Sequence, residues 1–204
     1  MEEKYGGVVI PTGPTLEIDR WRTWCAINEI EKEYGEIQNY NGLWVIEGTL
    51  GNQVYETSQR ERIRQRLLKE GVDESRIRIN EGEDTIDKVR HIIKLSETES
   101  NLNNFGISTY QLHFMRFQLA LHFAKKENLV KNDLEFRLIL SQTPDERWYK
   151  DLAYGLSGPV SDTVRLGLKG FSGATPDYNP LKRVYGKIKT WASRDNEDSK
   201  VPLE

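Results

Sequence analysis

Short β-branched runs alternate along this chain with longer stretches in which apolar residues recur every three or four positions. In sequence, that alternation is what βαβ units with a mostly parallel sheet look like. Gly7-Val8-Val9-Ile10 reads as a first strand, stopped by Pro11-Thr12-Gly13-Pro14, and Trp24, Ile27, Ile30 and Tyr34 follow on one helix face. Leu43-Trp44-Val45-Ile46 is the second run; it ends in Glu47-Gly48-Thr49 and leads into a helix carrying Ile63 and Leu67, closed by Gly71. A short strand from Arg76 to Ile79 precedes a helix striped by Ile86, Val89 and Ile93. Asn104 to Thr109 precedes a long helix, Tyr110 to Lys126, expected to bury Met115, Leu119 and Phe123. Five strands are thus expected at about 7–12, 43–48, 76–80, 103–109 and 135–141. They should be parallel, because each of the first four is followed by a helix long enough to cross back, and helices should cover both faces.

Beyond residue 145 helices follow one another without strands. Thr143-Pro144 and Asn179-Pro180 each set a capping side chain before a proline suited to a first helical turn, ahead of the stripes Trp148/Leu152/Leu156 and Leu181/Val184/Ile188/Trp191. Residues 1–145 are expected to form the α/β core, 146–193 a helical C-terminal extension packed on it, and the polar stretch 194–204 a disordered tail.

With 204 residues, 37% of them apolar, one sizeable core is expected rather than two equal domains. Lys plus Arg total 29 against 32 for Asp plus Glu, so the net charge of −3 provides no footprint for nucleic acid. No apolar run approaches the roughly 18 residues of a membrane helix. The start, Met1-Glu2-Glu3-Lys4, lacks a signal-peptide pattern, and a cytoplasmic protein is expected. The lone Cys25 allows neither an intrachain disulfide nor metal-type spacing. A zinc-type His-Glu-x-x-His, a P-loop and a Gly-x-Ser-x-Gly elbow are all missing, and no residues are singled out as metal ligands.

The candidate chemistry gathers where strands end. In an open parallel sheet ligands bind beyond the carboxyl ends of the strands, beside helix N-termini. Thr12 and Gly13, Glu47, Gly48 and Thr49, Asp84 and Thr85, and Ser108 and Thr109 all fall at such ends. Each alone also suits an ordinary helix cap. His113 and Arg116 share a face in the first turns of the fourth helix, joining a proton-handling group to a guanidinium fork for phosphate or carboxylate. His91 and His122 lack such neighbours in sequence and read as structural. Arg60, Arg62, Arg64 and Arg66 read as a solvated face, and the glycines at 167, 170 and 173 do not form a dinucleotide fingerprint.

At these residues the chain resembles the YdcF-like (ElyC/SanA/YdcF) family, long known as a domain of unknown function. The likeness runs over about residues 6 to 145. It rests on the small-residue loop near Gly13, Arg20 opening the first helix, and Gly48 with Glu56 beyond it. Further along it continues through Gly71-Val72 followed by Arg76-Ile77, Asp84-Thr85-Ile86-Asp87, and His113-Phe114-Met115-Arg116. The resemblance implies a Rossmann-like three-layer α/β/α fold, S-adenosylmethionine as a cofactor of soluble members, and a link of other members to the bacterial envelope and lipid carriers. It adds Arg20 and Glu56 to the ligand-binding candidates. The chain differs in having Glu47-Gly48-Thr49 where many members have Ser-Gly-Gly, and Lys88 where asparagine is common. It also lacks the N-terminal helices of membrane-anchored relatives, which shifts the expectation toward a soluble, small-molecule role.

Two functions are expected to compete. The first is an enzyme, a transferase or hydrolase, acting on or with a nucleotide-like or phosphorylated small molecule. In it Arg116 and the helix N-termini bind the anion, and His113 with one of Glu47, Asp84 or Asp87 moves protons. The second is a non-catalytic binder of S-adenosylmethionine or a nucleotide. A scaffold role would leave the polar cluster unexplained.

Overall fold

The computed structural model describes residues 4–13, 15–48, 53–82, 84–99, 102–130, 133–141 and 162–173. Five strands, β1 (Gly7–Pro11), β2 (Leu43–Gly48), β3 (Ile77–Glu81), β4 (Asn104–Thr109) and β5 (Glu135–Leu140), form one sheet in the order β3-β2-β1-β4-β5. Every neighbouring pair is parallel. β1 and the first four residues of β2 read as unbroken apolar runs because both of their faces are buried. Val8, Ile10, Trp44 and Ile46 pack on one face under α1 (Leu16–Tyr34) and α2 (Gln53–Lys69). Val9, Val45, Phe105 and Ile107 pack on the other under α3 (Thr85–Thr98) and α4 (Gln111–Lys126). The result is the three-layer α/β/α architecture expected from the pattern. A further helix, α5, spans 162–173. The helices expected to start at Thr143 and Asn179, and the tail 194–204, lie outside the described residues.

The helix boundaries follow local chemistry. The Thr15 hydroxyl accepts from Ile18 N–H at the start of α1, and Asp84 Oδ1 accepts from both Ile86 N–H and Asp87 N–H at the start of α3. Gly71 follows α2 at φ +91°, a left-handed turn that favours glycine.

Two expected faces are corrected. Met115 is exposed, and α4 instead buries His113, Phe117, Ala120, Leu121 and Ala124. Trp24 is half exposed and stacks edge-on against Trp21, while α1 buries Thr23, Ala26, Ile27 and Ile30. In both helices small residues on the buried stripe let the backbone approach the sheet, which sets the rotation of the helix and turns the bulkier side chains outward.

Candidate functional site

Between β1 and β4 the chain leaves the sheet in opposite directions. In open α/β sheets such a pair opens a crevice at its carboxyl ends. The loop after β1 is fixed first. Thr12 N–H donates to the Glu47 carbonyl at 2.7 Å, and Gly13 N–H donates to Asp19 Oδ1 at 2.6 Å. A Cβ on Gly13 would lie 2.5 Å from Ile18 Cγ2, so only glycine lets the loop press onto the start of α1. Asp19 Oδ2 is buried with no hydrogen-bond partner among the described residues. Burial pushes this carboxyl up to about 6, against the opposing pull of the Gly13 N–H, Arg22 and Lys88. One turn further, the buried Arg22 donates from Nη1 to the Pro11 carbonyl at 2.6 Å.

From β2, Glu47 is fully buried; its Oε1 accepts from Asn80 Nδ2 at 2.9 Å, and its Oε2 faces His91 Nδ1 at 3.7 Å. The Glu47 carboxylate raises His91 above its ordinary value. Gly48 lies under Arg60, whose Cδ would be 2.6 Å from a Cβ there, and Arg60 reaches Glu81 at 3.2 Å.

From α3 comes Lys88, 3% exposed, its stem running past Gly82. Burial lowers its ammonium to about 8; Glu47 and Asp84 resist this, while Arg22 and Arg116 add to it. His113, also buried, sits between two hydroxyls: Thr109 Oγ1 at 2.9 Å from Nδ1 and Thr85 Oγ1 at 3.5 Å from Nε2. Burial, then the cations Arg22, Arg116 and Lys88, hold it well below 6.5, so the ring is neutral at physiological pH.

The helix 162–173 closes the group from above. Arg116 Nε donates to Asp162 Oδ2 at 2.7 Å, and Arg165 Nη1 donates to Asp84 Oδ2 at 2.5 Å. Asp162 and Arg165 are both buried, and burial raises the Asp162 carboxyl.

Thr12, Gly13, Glu47, Asp84, Thr85, Thr109, His113 and Arg116 therefore meet at one end of the sheet. Several expected residues do not join them. Arg20 is exposed, and its place is taken by Arg22 on the buried side of α1. Ser108 turns to the α1 face, where its hydroxyl donates to the Arg22 carbonyl at 2.6 Å. Asp87 accepts from Arg90 Nη1 at 2.6 Å, and Arg90 reaches on to the Phe171 carbonyl of α5. Thr49 and the side chain of Glu56 lie outside the described residues.

The sequence reading missed Asp19, Arg22, Lys88, Asp162 and Arg165, and it placed His91 and Arg60 as ordinary surface or packing residues. A signal existed for some of them. Asp19 and Arg22 have the same three-residue spacing after β1 that His113 and Arg116 have after β4. Lys88 lies between Thr85 and Ile92 on the buried stripe of α3, where a charge is out of pattern.

No protein-family model matches this chain, and neither the curated proteins nor the solved structures contain a match to it. Among the described residues, no helix is long and apolar enough to cross a membrane.

Proposed function

We propose that this chain is an enzyme of YdcF-like type that acts, by transfer or hydrolysis, on or with a nucleotide-like or phosphorylated small molecule held at the strand carboxyl ends. One observation carries the reading. Lys88 lies close enough to act on the Asp19 carboxyl, and burial has moved both groups toward their neutral forms, to about 6 and about 8. An acid and a base poised on either side of pH 7 at the carboxyl ends of the strands are what proton transfer requires, and such shifts concentrate at functional sites. Lys88, Arg22 and Arg116 supply positive charge for the anion. Asp19, with an unpartnered oxygen, takes or returns the proton. His113 becomes a neutral hydrogen-bonding strut between β4 and α3 instead of the titrating group expected from sequence.

The binder reading, with S-adenosylmethionine or a nucleotide as ligand, is favoured by that same His113, because the residue best suited by type to proton chemistry is tied to two threonines.

A thermal-shift screen of nucleotides, S-adenosylmethionine, sugar phosphates and polyprenyl phosphates tests both. A ligand at about 100 times its Kd adds about 2.7 kcal/mol of stability. The enzyme reading expects a phosphorylated hit that is turned over, with Asp19→Asn retaining binding and losing turnover. Full turnover in that variant would remove Asp19 from the chemistry, and a hit that is bound but never consumed would favour the binder.

A further inference from the structure

We infer that Arg165 is the phosphoryl-binding residue of this site, so that the helix 162–173 and the α/β core hold one ligand between them. The inference rests on the proposed phosphorylated substrate and names where its phosphoryl group docks.

Arg165 is 2% exposed, and Nη1 is engaged by Asp84 Oδ2. Its Nε and Nη2 are buried and find no hydrogen-bond partner among the described residues. Such an arrangement is costly, since a buried donor without an acceptor loses its hydration for nothing. The two nitrogens are not scattered: Nε–H and Nη2–H run parallel along one edge of the guanidinium, the edge that takes two oxygens of a phosphate or carboxylate at once. Asp84 holds the plane in place from the other side, while Oδ1 of the same carboxylate caps α3, so the fork is aimed by a rigid helix start.

Neighbouring charge selects a phosphoryl group over a carboxylate. A carboxylate spends both oxygens on the fork. A phosphoryl group has others left, and Lys88, which interacts with Asp84, and Arg116, linked to Arg165 through Asp162, can take them. Asp162 lies 3.8 Å from Arg165 Nη1, which ties both arginines to one carboxylate.

Arg165→Lys is the discriminating variant, because it keeps a cation for Asp84 but removes the two-donor edge. Titration calorimetry of the full chain with ADP, inorganic phosphate and acetate should show wild type preferring the two phosphorylated probes. Arg165→Lys should weaken them at least tenfold while acetate stays weak throughout. In wild type, phosphate should also shift the Arg165 Nε–H resonance and slow amide exchange across 162–173, a readout that does not depend on the variant folding. If ADP binds wild type and Arg165→Lys equally, or the Arg165 resonance ignores phosphate, the docking assignment falls and the proposed function stands. Acetate binding as tightly as phosphate would overturn the choice of a phosphoryl group. If no phosphorylated probe binds wild type, both fall together.

Discussion

Lys88 shows how one side chain can burden the fold and equip the site. Its ammonium is buried and titrates near 8, against an ordinary value of 10.5. The folded state therefore loses this proton before the unfolded chain does. Below pH 8 the charged lysine weighs against folding in full, and the burden lifts as pH rises from about 8 to 10.5. A shift of this size corresponds to an order of 3 kcal/mol. Lys88→Met keeps the stem and removes the charge, so the expected outcome is a higher Tm at pH 7 together with weaker binding of phosphorylated ligands. Thermal denaturation and ligand titration on the same sample check both halves. A lower Tm would mean that Lys88 is needed to neutralise Glu47 and Asp84.

At the scale of the elements, α4 offers the sharpest test of packing. Its buried stripe runs through Phe117, Ala120, Leu121 and Ala124, and Met115 points outward. Phe117→Ala should cost about 3–5 kcal/mol through lost burial and a residual cavity. Met115→Ala should stay within about 0.5 kcal/mol, as an exposed position does. Urea unfolding of the two variants reads the rotation of the helix directly, and equal losses would contradict it. The same helix shows what the sequence could convey. All five strands were legible as short runs of β-branched and apolar residues, unbroken in β1 and in the first four residues of β2, where both faces are buried, and interrupted by polar residues in the edge strands β3 and β5; their ends agree within about a residue. The faces of α1 and α4 were not, because bulky residues were weighed above spacing, whereas the sheet is approached through Ala26, Ala120 and Ala124. About half the candidate site was visible at the strand ends. Arg165 was not, since its carboxylate partner stands 81 residues away and nothing local marks a long-range ion pair.

Across the whole molecule, two buried groups in one cluster pull the pH dependence of stability in opposite directions. Asp19 titrates near 6 in the folded chain and near 3.8 in its ordinary state, so the folded form takes up the proton first. Its contribution to stability therefore rises as pH falls from about 6 to 4. His113 is held well below 6.5, so there the unfolded chain takes the proton first, and stability falls as pH drops through 6.5. Both groups answer to Arg22 and Lys88, so their titrations belong to one network, and in the wild type their slopes partly cancel. Separating them is a matter of two variants. His113→Asn removes the downward slope, and its Tm should rise relative to wild type as pH is lowered from 7 to 5. Asp19→Asn removes the upward slope, and its Tm should fall relative to wild type over the same interval. The comparison uses only the change of the difference with pH, so an overall loss of stability in either variant does not obscure it. Parallel Tm curves for all three proteins would mean that neither group is buried as described, and the acid–base pairing proposed for the site would lose its physical basis.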